Sequence, residues 1–164
     1  MSRYLLLLLM LAFTASLFGQ NTFKKNDIYF EFLGNGIGAS VNYERQLMDK
    51  AGLGVRLGIG YFSGDEKFRV SIPVGLDYLI SLRNDKSFIN AGLGATWSGA
   101  TGLKTAKQEA LTGRDLNEHI WSFVPSIGYR HHTKSNYMLR ISLTPIINKY
   151  RFFPFAGISI GKRF

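Results

Sequence analysis

Seven charged residues stand at positions where strand alternation otherwise puts small and polar side chains: Glu31, Glu44, Arg56, Arg69, Asp77, Arg130 and Arg140. Acids beside arginines are suited to charge-assisted, fork-shaped hydrogen bonds. Charges that share an enclosed space must pair, because an isolated buried ion costs several kcal/mol. Such a set supplies either a closed ion-pair network or a polar route for a solute. Hydrolysis is the other chemistry that the residue types suggest. His131 and His132 adjoin Thr133, while Ser63, Ser98, His119 and Ser122 lie near expected strand ends. A nucleophile needs its base within hydrogen-bond reach, and neither group has the spacing of a nucleophile motif. His119 reads as a surface residue. The glycines of LGNGIG, residues 33–38, precede no helix and read as a turn, not a phosphate cradle. With no cysteine and no metal-ligand spacing, the chain is expected to carry no metal and no cofactor.

Strands must position these side chains. The stretch AGLGVRLGIGY, residues 51–61, puts glycine at nearly every second site of an apolar run. Alternation gives one face Leu53, Val55, Leu57, Ile59 and Tyr61, and the other Gly52, Gly54, Arg56, Gly58 and Gly60. The same division runs through INAGLGATW at 89–97 and YMLRISLTP at 137–145. Turn signals at LGNGIG, MDKAG, SGDEK, RNDKS and TKSN separate the strands. The expected spans are 27–34, 38–47, 51–62, 68–82, 87–100, 119–132, 136–148 and 152–164. Residues 27–47 also fit a single long strand bent between Gly34 and Gly38. Helical periodicity appears weakly at 103–115, inside the longest loop.

Either a protein core or lipid accepts the apolar face. A soluble sandwich or lipocalin-like barrel turns charge outward and would show a Lys- and Glu-rich second face. Here that face is mostly Gly, Ser, Thr and Asn, as a narrow lumen requires, while the large apolar side chains point to lipid. Inward glycines then leave room for Arg56, and Gly58→Ser is expected to be milder than Leu57→Arg. Tyr61, Phe62, Phe68, Trp97, Trp121 and Phe153 gather toward one end of the spans, and Tyr43, Tyr78, Tyr129, Tyr137 and Phe164 toward the other, as two interfacial girdles would. The fold class expected is all-β, a transmembrane antiparallel up-and-down β-barrel of eight strands.

The opening MSRYLLLLLMLAFTASLFGQ sets Arg3 ahead of a short leucine block and then small residues. That is the pattern of a cleaved signal peptide, taken as residues 1–19 with the cut near Ser16 or Gly19, and it is short for a membrane span. Residues 20–164 form one domain of ordinary size. The formal charge of +9 becomes +8 without Arg3, a balance that attracts acidic surfaces including phosphorylated head groups. A mean hydropathy of +0.01 and the lack of a second long apolar block argue against helical spans.

The last strand ends GISIGKRF, with Ile158, Ile160 and Phe164 on one face. This resembles the C-terminal signal by which Gram-negative outer-membrane β-barrels are recognised for assembly, although Lys162 stands where an apolar residue is usual. With the leader and IYFEFLGNGIGASVNYERQL, the chain resembles the small outer-membrane barrels of Bacteroidetes-like bacteria. The resemblance implies location in the cell outer membrane, both ends in the periplasm and an even strand number. It implies lipids and the barrel-assembly machinery as partners, a monomer, and no nucleic acid. Periplasmic turns would be MDKAG, RNDKS and TKSN; LGNGIG, SGDEK, 101–118 and NKYR would be extracellular.

Pro73, Pro125, Pro145 and Pro154 fall within expected strands, all in the extracellular half, and each removes a ladder hydrogen bond. They mark bulges, or a loosened seam for sideways passage of a small hydrophobic ligand, as in the resembling lipid A palmitoyltransferase barrels. Three functions follow: a non-enzymatic structural or interaction barrel with a charge-plugged lumen, which is the leading one; a barrel that binds or passes an apolar ligand; and a lipid-modifying enzyme, which would need Ser63, Ser98, His119 or Ser122 to converge.

Overall fold

The protein is seen in a computed structural model that describes residues 23–64, 67–82, 86–100, 119–149 and 152–164. The leader, the 101–118 segment with its helical periodicity, and parts of SGDEK, RNDKS and NKYR lie outside the described residues. The elements are β1 (Asn26–Leu33), a 3-10 turn η1 (Gly34–Gly36), β2 (Ala39–Gln46), β3 (Leu53–Gly64), β4 (Lys67–Ser81), β5 (Ser87–Ala100), β6 (Ile120–His132), β7 (Tyr137–Leu143), β8 (Ile146–Ile147), β9 (Phe152–Phe153) and β10 (Ala156–Arg163). Residues 27–47 are therefore a hairpin, not one bent strand.

Each membrane span pairs antiparallel with the next span in the chain, and β1 pairs with β10 to close the sheet into a barrel. The strands β7 and β8 are two parts of one span, as are β9 and β10, so the barrel has eight spans. Closure pairs every span on both sides along its described length nearest the terminal end, which lets a sheet sit in lipid. One end carries Asn26, Arg163 and the turns after β2, β4 and β6; we call it the terminal end and the other the loop end.

Burial is inverted relative to a soluble protein. Among the described residues, six hydrophobic side chains are buried against twenty-one polar or charged ones. Outward positions carry Leu57 at 57%, Ile59 at 63% and Ile141 at 62% exposure. A soluble domain does not show a continuous apolar exterior of this kind, whereas a barrel in lipid requires one. Tyr43, Tyr78, Tyr129, Tyr137 and Phe164 are exposed toward the terminal end, and Tyr61, Trp121 and Phe153 toward the loop end. Phe62 departs from the expected girdle: alternation puts it on the inner side of β3 with Gly58 and Gly60.

Candidate functional site

Register arranges the lumen in rows. Asp27, Glu44, Arg56, Gly75, Gly94 and Val124 are successive cross-strand partners from β1 to β6. Glu31, Ser159, Arg140 and Arg130 form a second row through β1, β10, β7 and β6. Each row mixes acids with arginines, and the arginines are long enough to reach from one row to the other.

Three buried ion pairs result. The Arg130 guanidinium grips both carboxylate oxygens of Glu44, with Nη1 to Oε1 at 2.7 Å. Arg140 Nη2 donates to Glu31 Oε1 at 2.8 Å, and its Nη1 lies 3.9 Å from Glu44 Oε2, which links the first two pairs. Arg56 Nε stands 3.3 Å from Asp77 Oδ2, while Asn90 Nδ2 donates to Asp77 Oδ1 at 2.8 Å. None of these six side chains is more than 2% exposed. Gln46, Ser159 and Tyr29 extend the set: Gln46 Nε2 donates to Glu44, Ser159 Oγ bonds Arg140, and the Arg140 guanidinium lies 4.6 Å from the Tyr29 ring centroid.

The structure thus brings together six of the seven expected charges. Arg69 lies apart, half-buried at the loop end of β4, where its register partners are Phe62 and Ala100. Strand alternation puts Asn90 on the inward face without giving its partner, while Asp27, Tyr29 and Asn35 went unmarked; all four are buried in the lumen. For Asp27 and Tyr29 the signal was the same alternation, overlooked because single residues in a strand look unremarkable beside the paired charges; Asn35 lies in the turn η1, where alternation does not apply.

Glycines make the room, though not where β3 alone suggests. A Cβ on Gly75 would come within 2.8 Å of Arg56 Nε, and one on Gly94 within 3.0 Å of Arg56 Nη2. Arg56 therefore lies over glycines of β4 and β5. The glycines of β3 itself admit β2 side chains: Gly58 faces Asn42, and Gly60 faces Ser40 and Ser71. Gly58→Ser is consequently not a mild change, since its Cβ would also meet the Val41 carbonyl at 2.9 Å.

Both ends of the lumen are filled. At the loop end LGNGIG folds inward: Asn35 is 2% exposed, Thr96 Oγ1 donates to its carbonyl at 2.7 Å, and Ser71 Oγ donates to the Gly36 carbonyl at 2.8 Å. The turn is anchored to the ion network through Asn35 N–H, which donates to Glu31 Oε2 at 3.1 Å. This sharp inward path needs left-handed backbone at Leu33 (φ 60°), Gly34 (φ 87°) and Ile37 (φ 73°), conformations that cost non-glycine residues energy. At the terminal end Leu79, Phe88, Met138 and His132 are buried on adjacent spans, with the Phe88 and His132 ring centroids 4.6 Å apart.

Of the residues weighed for hydrolysis, the Ser63 side chain lies outside the described ones, and the others do not converge. Ser98 points inward and donates to the Ile120 carbonyl at 3.3 Å, whereas His119 stacks on Trp97 at 5.3 Å. Ser122 is buried opposite Thr96. His131 accompanies Tyr129, and its Nδ1 lies 3.1 Å from Ser87 Oγ at the terminal end.

The prolines divide three to one. Pro73 is buried on the inner side of β4, where the β3–β4 pairing lapses between Leu57↔Val74 and Gly60↔Ser71 without a change of register. The others align. The register of β6 with β7 and β8 sets Pro125 opposite Pro145, and that of β7 and β8 with β9 and β10 sets Pro145 opposite Pro154. Thr144 N–H donates to Phe155 O, so the backbone of Pro145 faces Pro125. Both would-be donors of that rung are prolines, and the ladder stops between Ile127↔Leu143 and Phe123↔Ile147. One register step toward the terminal end, Ile127, Leu143 and Ala156 line an outward groove of about 360 Å³. Ile158, Ile160 and Phe164 of the expected assembly signal are all outward and exposed.

No protein-family profile matches the sequence, and no curated protein matches it. Solved structures do. The N-terminal β-barrel domain of Pseudomonas aeruginosa OprF superposes with a TM-score of 0.60 at 9% identity, over 85% of this chain and 96% of that domain. The Yersinia pestis outer membrane protein Ail, determined in a phospholipid bilayer nanodisc, gives a TM-score of 0.54 at 11% identity, over 87% of this chain and 100% of Ail. Sequence identity this low speaks to architecture alone. With the inverted burial and the closed sheet, the chain has the fold of an eight-stranded transmembrane β-barrel of the outer-membrane type.

Proposed function

We propose that this protein is a monomeric integral barrel of the cell outer membrane, exported by a leader cleaved near residue 19, with a structural or interaction role and no enzymatic one. The observation that carries this reading is the filled lumen: three buried ion pairs, two of them linked, between an inward turn and an apolar cluster. An eight-stranded barrel has little bore to begin with, and here side chains and backbone occupy it. Partners are then met on the outer surface, with lipid around the belt and the assembly machinery engaging Ile158, Ile160 and Phe164 during biogenesis. The leader and GISIGKRF support placement among the small barrels of Bacteroidetes-like bacteria. Membrane fractionation with heat-modifiable gel mobility tests the location, and planar-bilayer recording tests the plug. The expected result is an outer-membrane species that passes no current. A reproducible single-channel conductance from the folded protein overturns the sealed-lumen reading.

The proline register favours a second reading, in which the gap between β6 and the β7–β8 span admits a small hydrophobic ligand from the outer leaflet. The groove beneath that rung offers such a ligand a seat among Ile127, Ile141 and Leu143. An apolar probe that slows amide exchange on those strands, and fails to do so after Pro125→Val, supports it.

A further inference from the structure

We propose that the outward rim at the terminal end, built on Arg45 and Lys162 with Tyr43 and Tyr137, holds the phosphate of an anionic glycerophospholipid. The inference rests on the membrane-barrel reading and adds a lipid class and a leaflet to it. Tyr137, Lys162, Ile28 and Tyr43 are successive cross-strand partners through β7, β10, β1 and β2, and all four point outward. Phe164, Asn26 and Arg45 form the next row toward the rim, since Asn26 and Phe164 exchange backbone hydrogen bonds and Asn26 pairs with Arg45.

The two rows are tied together. Asn26 Oδ1 accepts from Tyr43 Oη at 2.8 Å and from Arg45 Nη1 at 3.3 Å, and Lys162 Nζ lies 5.5 Å from the Tyr137 ring centroid. Two cations thus flank β1, roughly two strand spacings or ~10 Å apart, with tyrosines at the depth where amphipathic rings meet head groups. Ile28 lies in the row of Lys162, and Phe30 and Ile160 are the next outward pair above it; all three are exposed and apolar, a surface for acyl chains. A soluble anion has no use for that continuity; a lipid has its phosphate on the cations and its tail on the isoleucines.

The surroundings have the same sign. Lys24, Lys50 and Lys134 are exposed at this end; of the described acidic side chains there, the exposed Asp49 pairs with Lys25, and Asp27 is buried on the lumen side opposite Arg163. Basic side chains at a membrane surface attract anionic lipid. With both termini in the periplasm, the leaflet facing this rim is the inner, phospholipid leaflet of the outer membrane. The site also gives a reason for Lys162, which interrupts the apolar face of the last strand.

To test this, the mature chain is reconstituted in phosphatidylcholine vesicles, alone or equimolar with phosphatidylglycerol, then extracted gently, and the retained lipid is counted by native mass spectrometry. Several-fold preferential retention of phosphatidylglycerol is expected. Arg45→Gln with Lys162→Gln should abolish the preference, Lys162→Arg should keep it, and Lys149→Gln at the loop end should leave it unchanged. If the double variant fails to fold, Lys162→Gln alone carries the test and should lower the preference at least twofold. Equal retention of both lipids by the folded barrel, or a preference that survives these substitutions, overturns the proposal while sparing the membrane reading. Erasure of the preference by an equal concentration of free glycerol phosphate would assign the rim to a soluble anion and also overturn it. Failure of the native chain to fold in either vesicle would overturn both readings.

Discussion

Glu44 illustrates how much rests on single side chains in a lumen of this kind. It accepts two bonds from Arg130, a third from Gln46, and lies near Arg140, all in a space closed to solvent. Breaking a buried pair by neutralising one member leaves the other uncompensated, at a cost of about 3–5 kcal/mol. Glu44→Gln is therefore expected to lower stability by that amount in urea-driven unfolding from bilayers. Combining it with Arg130→Met should cost less than the sum of the two single changes, because the second substitution removes the stranded charge; strict additivity would mean that the pair is not a unit. Gly94 makes the complementary point about space. An alanine there meets Arg56 Nη2 at 3.0 Å, Asn35 Oδ1 at 3.2 Å and the Val124 carbonyl at 3.2 Å, one of which is backbone and does not yield. Gly94→Ala should destabilise by about 1–3 kcal/mol, the range for overpacking, despite adding a single methyl group.

Elements differ in how firmly their neighbours hold them. Strands β4 to β6 pair over long, continuous registers, whereas the spans that contain Pro125 and Pro145 meet at a rung without donors. Amides of the loop-end halves of β6, β8 and β9 should exchange with solvent faster than those near Tyr129 and Leu139, since lost ladder bonds lower the free energy of local opening. Equal protection along these spans would reduce the prolines to inert features of a rigid wall. On the β3 face the expectation concerns lipid: Leu57→Arg, outward and 57% exposed, should cost about 2–4 kcal/mol at mid-depth. The turn η1 is constrained from another side. Gly34 has φ 87° and its Cβ would come within 2.9 Å of the Glu31 carboxyl carbon. Gly34→Ala is thus expected to unseat the turn from Glu31, and a fall in stability with unchanged behaviour of Arg140→Met would separate that effect from damage to the ion network.

At the scale of the molecule, Phe164 closes the last strand on the outside of the barrel, exposed and hydrogen-bonded through its backbone to Asn26. Deleting it should slow assembly in cells and lower the folded amount in a heat-modifiability assay; normal assembly of the truncated chain would remove it as a recognition signal. The sequence by itself determined the all-β fold class, the two faces of most strands and the inversion of polarity, because period-two alternation is a local property that any strand must obey, and lipid outside with a narrow lumen inside is the environment that matches Leu57 on one face and Gly58 on the other; the tertiary structure decided that 27–47 is a hairpin, and with it the count of eight spans. It also marked Glu31, Glu44, Arg56, Asp77, Arg130 and Arg140 as inward. Only the tertiary structure decided which acid meets which arginine, since Glu44 and Arg130 are brought together by closure of the sheet and not by nearness in the chain. Closure likewise set Gly75 and Gly94 beneath Arg56, aligned three prolines from separate spans on one rung, and turned LGNGIG into the lumen. Each of these depends on cross-strand register, which is fixed by how all eight spans fit around a ring and leaves no trace in any one of them.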